Sequence, residues 1–248
     1  MKTTIGIERE RFIIRREDNM IVPAIGTLLP VVWEKANMVG LPASLFDYEL
    51  FAGQIEDKTP PCYSLLMLKE ALLANDFVMK MAADQVGLDF DSSEFVGGGR
   101  ITALEPNPFD QNHRHEWFSM PPEMRLAISV LADVHVHLSA TKKQAVALLN
   151  LCRKDVVSHL IKIGDHSDGK RIGAYLAIIQ SDGIPPTFSS FVNLVEYIKN
   201  RGGEKNVWDL VRYKPSTETI EFRMFGAAKK VEDVVGYAVE CLKLLRLI

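Results

Sequence analysis

Three separated stretches of the chain alternate apolar and polar residues. In Ile5-Gly6-Ile7-Glu8-Arg9-Glu10 the isoleucines take one parity, and Glu8 and Glu10 take the other. In Val134-His135-Val136-His137-Leu138-Ser139 the apolar residues oppose His135, His137 and Ser139. In Ile220-Glu221-Phe222-Arg223-Met224-Phe225 one parity holds Ile220, Phe222 and Met224, and the other holds Glu221, Arg223 and Phe225. A period of two predicts β-strands with a greasy face and a chemical face. The first strand is expected to continue through Phe12 to Ile14, and Arg9 falls on the face opposite Glu8 and Glu10.

Longer periodicities predict helices between these strands. Residues 25–39 read as helical, 48–56 as extended up to the stop at Pro60-Pro61, and 64–86 as a strong helix ended by Gly87. The span 97–122, with three consecutive glycines and four prolines, reads as a mobile active-site loop or an irregular connection. Thr141 and Gln144 have capping-box spacing at the start of a helix expected to run to Gly164. Gly183-Ile184-Pro185-Pro186 predicts a turn, residues 190–200 a helix, and Val231, Val234, Val235, Ala238, Leu242 and Leu245 the apolar stripe of a last helix. Strands and long helices mix without a βαβ rhythm. The expected class is α+β: a largely antiparallel sheet cupping the site, helices on its other face, and one domain over residues 1–248.

The chemical faces bear Glu, Glu, His, His, Glu and Arg, where a solvated strand face carries Thr, Lys and Ser. Glu49 and Glu56 join them if Gly53 marks a bulge, because their parities differ. Clustered carboxylates stay ionised together only against a cation. An oxygen-rich set suits Mg²⁺ or Mn²⁺, and a His ligand leans toward Mn²⁺ or Zn²⁺. Arg223 beside Glu221 offers a planar fork to a transferring phosphoryl group.

Composition removes some alternatives. The 248 residues are 47% hydrophobic and 25% charged, with a net charge of −3. No global basic field points to nucleic acid or to an anionic membrane. The apolar stretch 21–33 is broken by Pro23, Gly26 and Pro30, which excludes a bilayer span there. The three cysteines are scattered and lack metal-ligand spacing, and no leader pattern precedes Ile5, so a cytoplasmic protein is expected.

These segments resemble the glutamate–cysteine ligase family, in particular its bacterial carboxylate–amine ligase branch. The resemblance lies in an ordered series. It runs from Gly6-Ile7-Glu8-Arg9-Glu10 through Glu49-Leu50-Phe51, Gln54-Ile55-Glu56 and Thr59-Pro60. It continues in His135-Val136-His137, Gly183-Ile184-Pro185-Pro186-Thr187-Phe188 and Thr219-Ile220-Glu221-Phe222-Arg223. It implies a glutamine synthetase-like fold around ATP and divalent metals (Mg²⁺ or Mn²⁺). It further implies Glu8, Glu10, Glu56, Glu221 and His135 as metal ligands, with Glu49 a weaker one, and Arg223 at the γ-phosphate. The activity implied is ADP-forming amide-bond formation through an acyl phosphate, on small amino acid or amine substrates, with a homodimer as an option.

The sequence also departs from the family. An Asn-Ser-Pro stretch after the His strand is replaced by residues 163–169, where Arg171 is the candidate substitute for a binding arginine. Gly226 stands where the family often has Asp. The metal and phosphate half is thus expected to be kept and the substrate half changed, so cysteine is not assumed as the amine. Two other readings fit the same residues: a ligase-like binding protein that has lost catalysis, and a metal-dependent hydrolase using His135 and His137. His113 and His115 are expected on a polar loop, and Gly97-Gly98-Gly99-Arg100 as a flexible connection.

Overall fold

The computed structural model describes residues 3–248. Seven strands form one sheet: β1 (Ile5–Arg15), β2 (Phe46–Tyr48), β3 (Gln54–Lys58), β4 (Leu88–Asp91), β5 (Asp133–Ser139), β6 (Val211–Lys214) and β7 (Thr219–Gly226). The order is β2-β3-β1-β5-β7-β6, with β4 on the far end of β1, and every pairing is antiparallel. The helices are α1 (Ile25–Met38), α2 (Leu65–Val86), α3 (Gln111–Ser119), α4 (Pro122–Ser129), α5 (Lys142–Leu151), α6 (Lys154–Gly164), α7 (Lys170–Ile179), α8 (Phe191–Asn200) and α9 (Val231–Leu245). The class is α+β, as expected.

The alternation sorts the two faces. Ile5 and Ile7 of β1, Val134, Val136 and Leu138 of β5, and Ile220 and Phe222 of β7 are buried in one core with Leu68 and Leu72 of α2 and Val234, Ala238 and Cys241 of α9. Arg9 shares this helix-covered face. Its guanidinium donates to Asp57 at 2.7 Å and to Asp76 of α2 at 2.9 Å, and Asn75 donates to Asp57 at 2.9 Å. A smaller core joins α1 to α2 and β3 through Leu28, Leu29, Val32, Met79 and Ile55.

Local signals explain the element ends. Ser64 caps α2 by accepting from the Met67 amide at 3.2 Å, and Gly87 closes it with φ 74°. Thr141 and Gln144 form the expected capping box. The helix expected to reach Gly164 is instead two helices, α5 and α6. Arg153 takes an extended backbone (ψ 179°), and its side chain donates back to the Leu149 carbonyl at 2.7 Å. The span 97–122 is also more ordered than expected. Asp110 caps α3 through the Asn112 amide at 2.7 Å, and Pro122 sits in the first turn of α4. Trp117 of α3 is fully buried against Phe51, with ring centroids 6.2 Å apart.

One register shift changes a face assignment. Val134 pairs with Phe225, but Val136 pairs with Phe222, so His135 faces two residues of β7. This bulge turns Phe225 to the helix side, where it stacks on Tyr237 of α9 at 4.6 Å. Phe225 therefore does not share the face of Glu221 and Arg223, contrary to simple alternation.

Candidate active site

Register brings the chemical faces together. Glu8 of β1 lies opposite His135 of β5, His137 lies opposite Glu221 of β7, and Glu10 lies opposite Glu56 of β3. Two sets of ligand-type atoms result, Glu8–His135–Glu221 and Glu10–Glu56–His135, each with its atoms within 4.8 Å of one another. His135 Nδ1 lies 3.4 Å from Glu8 and 3.5 Å from Glu221. Its Nε2 is buried with Asp133 no closer than 3.9 Å, and Nε2 of His137 lies 3.3 Å from Glu8. Buried polar atoms rarely remain unpaired, so the unpartnered His135 nitrogen among carboxylates fits a divalent cation that accepts both oxygen and imidazole, such as Mn²⁺.

The charges argue the same way. Burial, then the Asp133 charge, pushes Glu10 up to about 8. Burial, then Glu10, pushes Glu49 up to about 8. Burial and the charges of Glu8 and Glu49 raise Glu56 well above the usual carboxylate range. Burial acts against ionisation of Glu8 as well, yet hydrogen bonds from His135 and His137 hold it low. Glu221 is likewise held low, because Arg223 and Arg212 outweigh its burial. Acids that resist ionising together carry their charges jointly when a cation stands among them.

Glu8 separates two cavities. One, of about 250 Å³, is lined by Glu10, Glu49, Asp133, Arg212, Arg223 and Trp208, among others. The Arg223 guanidinium lies 5.4 Å from the Trp208 ring centre, 5.8 Å from that of Tyr175, and 3.6 Å from Glu221. The other cavity, of about 270 Å³, is lined by Lys58, Lys214, His137, Thr59, Thr217 and Thr219. Lys58 pairs with Glu56 at 2.8 Å and Lys214 approaches Glu8 at 3.8 Å.

Glu49 reaches the first cavity by a turn and not by a bulged strand. Tyr48 pairs with Ile55 across the β2–β3 hairpin, and the Glu49 carbonyl accepts from Asn107 at 2.8 Å. Gly53 closes this turn so tightly that a Cβ would stand 2.5 Å from the Phe51 ring. Arg171 is a correction. It is fully buried and donates to Asp133 at 2.6 Å and to the Met224 carbonyl, and it does not line the cavity. A guanidinium enclosed in this way positions Asp133 and has no free face for a nucleotide. At Gly226, a Cβ would stand 1.9 Å from a Glu94 carboxylate oxygen, so Glu94 fills the space that a side chain there would need.

Several wall residues had no strong sequence signal. Arg212 sits on a strand of four residues whose alternation, Val211 and Tyr213 against Arg212 and Lys214, is too brief to stand out in the sequence. Trp208 and Tyr175 come from a loop and from α7, and Asp133 stands one position before the alternating run. Asp133 has the parity of His135 and His137, and that signal was available. His113 and Arg100 are occupied elsewhere, with Asn107 at 3.3 Å and Asp91 at 2.6 Å.

Comparison with known proteins agrees with this architecture. No protein-family model matches the chain. A Chloroflexus aurantiacus protein named "Putative glutamate--cysteine ligase 2" is 33% identical over 167 residues, covering 56% of this chain and 42% of that protein. A Roseiflexus castenholzii protein of the same name is 26% identical over 209 residues, covering 77% of this chain and 53% of that protein. The chain thus spans about half the length of the curated relatives it matches. Among solved structures, a bifunctional glutathione synthetase from Pasteurella multocida superposes with TM-score 0.57 at 13% identity, covering 98% of this chain and 39% of that one. A Plasmodium falciparum glutamine synthetase gives TM-score 0.52 at 11% identity, covering 99% and 52%. The chain has the glutamine synthetase-like fold, and in sequence it resembles the glutamate–cysteine ligase family.

Proposed function

We propose that the chain carries an ATP-dependent, ADP-forming carboxylate–amine ligase site of the glutamate–cysteine ligase kind. The observation that supports it is the meeting of Glu8, Glu10, Glu56, His135 and Glu221 on one sheet face, with Arg223 beside Glu221. Glu8, His135 and Glu221 would hold one Mg²⁺ or Mn²⁺, and Glu10 and Glu56, with Glu49 beside them, a second. Such cations supply the positive charge that offsets a triphosphate.

The two cavities divide the substrates. Lys58, Lys214 and His137, with threonine hydroxyls between them, suit the phosphate chain. The cavity under Trp208 suits the acid and the amine. A carboxylate oxygen attacks the γ-phosphorus, the bond to the bridging oxygen breaks, and ADP leaves. The amine, freed of its ammonium proton by a carboxylate of the cavity wall, then attacks the acyl carbon, the bond to phosphate breaks, and the second proton leaves the nitrogen with the phosphate. Arg223, whose guanidinium lies over the rings of Tyr175 and Trp208, would meet charge that spreads over the transferring oxygens.

The test is ADP release with a panel of carboxylic acids and amines, with and without Mg²⁺. Metal-dependent release that needs both an acid and an amine is expected. Metal and nucleotide binding without any release would replace the ligase by a binding protein. Hydrolysis of an amide without ATP would replace it by a hydrolase.

A further inference from the structure

The helices that cover the sheet differ in their outer faces. α9 turns Glu232, Asp233 and Lys243 to solvent, as a solvated helix does. α2, beside it, leaves Leu66 and Phe77 66% and 58% exposed, with Met67 and Leu73 exposed between them. The inner side of α2 is already used: Leu68 and Leu72 fill the larger core, and Val78 and Met79 the smaller. The helix is thus apolar on two sides, and this chain covers one of them. Single exposed apolar residues are ordinary, but a run of them on adjoining turns forms a patch of the kind that marks an interaction site.

The exposed positions follow a fixed spacing. Leu66, Glu70, Leu73, Phe77, Lys80 and Asp84 are all exposed, at alternating intervals of four and three residues. That is the seam of a helix that packs along another helix. The seam also matches itself. Two α2 helices laid antiparallel, about a two-fold axis at the level of residue 75, set Leu73 of one copy against Phe77 of the other, and the reverse. Glu70 then meets Lys80 of the other copy on both sides of this apolar centre. At each end Leu66 comes near Asp84, whose charge is already met by Lys80 and Arg16 of its own chain. Apolar centre and charge pairs both arise from the α2 sequence alone, so a second copy is the occupant they specify.

We infer that α2 is a homodimer contact, in which two copies pack antiparallel through Leu73 and Phe77 between reciprocal Glu70–Lys80 pairs. The contact lies on the side of the sheet opposite Glu8, His135 and Glu221, so both sites of the dimer stay open. One helix from each copy makes a small interface, and a dissociation constant of about 1–100 µM is expected.

Sedimentation velocity from about 1 to about 500 µM protein, at low salt so that surface charges are not screened, reads the association. The unaltered protein is expected to pass reversibly from monomer to dimer. Phe77→Ala removes an aromatic anchor twice by symmetry and is expected to weaken the dimer by at least about 30-fold. Glu70→Lys and Lys80→Glu each turn both attractive pairs into like charges, and each variant alone is expected to stay monomeric. Mixed in equal amounts, the two variants bring opposite charges together at both positions and are expected to dimerise again. Thermal melts show that each variant is folded. An unaltered protein that is monomeric throughout the range overturns the inference and leaves this face to a different partner. A dimer that Phe77→Ala and both charge variants leave intact overturns it as well, because its contact lies elsewhere. A mixture of the two charge variants that stays monomeric refutes the antiparallel pairing, and the inference with it.

Discussion

Arg212 and Glu221 are joined across β6 and β7 by a two-point ion pair, with Nη2 at 3.1 Å from one carboxylate oxygen and Nε on the other. Glu221 is fully buried, and Arg212 also ties down the chain before β6 through the Val207 carbonyl at 2.7 Å. Removing one partner of a buried pair typically costs about 3–5 kcal/mol, because the other charge is left uncompensated. Arg212→Met is therefore expected to lower stability by that order in metal-free protein, with Mn²⁺ restoring part of the loss. Urea unfolding with and without Mn²⁺ reads both effects, and an equal loss in each would separate Glu221 from the metal site.

Arg223 is expected to act in the transition state more than in binding. Lysine keeps the charge and loses the planar fork that lies over Trp208. Arg223→Lys should lower ADP-release turnover by at least about 100-fold, the cost of a well-placed electrostatic donor. Nucleotide affinity should change far less. Unchanged turnover, or an equal fall in affinity, would remove Arg223 from the phosphoryl-transfer role.

Two glycines on neighbouring helices should respond in opposite directions. A Cβ at Gly164 would lie 2.3 Å from the Phe225 ring and 3.0 Å from its Cα, whereas Gly173 has nothing within 4 Å. Gly164→Ala is expected to destabilise by about 1–3 kcal/mol through overpacking. Gly173→Ala, inside α7, should stabilise by about 0.5–1 kcal/mol. Thermal melts of the two variants check the pair, and similar shifts would contradict the close α6–β7 contact.

The sheet was legible because each strand carries its own evidence. The parity of Ile5 and Ile7 against Glu8 and Glu10 settles which face meets helices, and Asp133–Ser139 and the start of β7 follow from the same rule. The sequence expectation failed where contacts distant in the chain decide. The bulge opposite His135 exists only once β5 and β7 are paired, so alternation misplaces Phe225. At the α5–α6 break Arg153 bonds to the Pro186 carbonyl at 3.3 Å, far away in sequence. Asp110 and Pro122 did signal α3 and α4, but the surrounding prolines and glycines masked them. Arg171 has the charge of a ligand-binding arginine, and only its full burial beside Asp133 shows that it is structural.

Glu94 should give the fold a pH dependence separate from the metal ligands. Burial and the Asp165 charge push it from the usual 4.5 up to about 7, against the pull of Arg171. A carboxyl raised on folding contributes stability that is complete below its unfolded value near 4.5 and is lost as pH rises through about 7. Glu94→Gln stays neutral throughout, so its melting temperature should fall less between pH 5 and pH 8 than that of the unaltered protein. An identical fall in both would show that Glu94 titrates normally.

The carboxylate face is proposed as a metal and phosphate site, and calorimetric titration of Mn²⁺ with and without a non-hydrolysable ATP analogue measures its binding. Glu8, His135 and Glu221, with Glu10 and Glu56 beside them, should give saturable Mn²⁺ binding that tightens when the analogue is present. Metal binding to the folded state should also raise the melting temperature, and His135→Ala, which belongs to both ligand sets, should weaken both effects. No heat of binding at millimolar Mn²⁺ with the analogue present would rule out a metal site on this face.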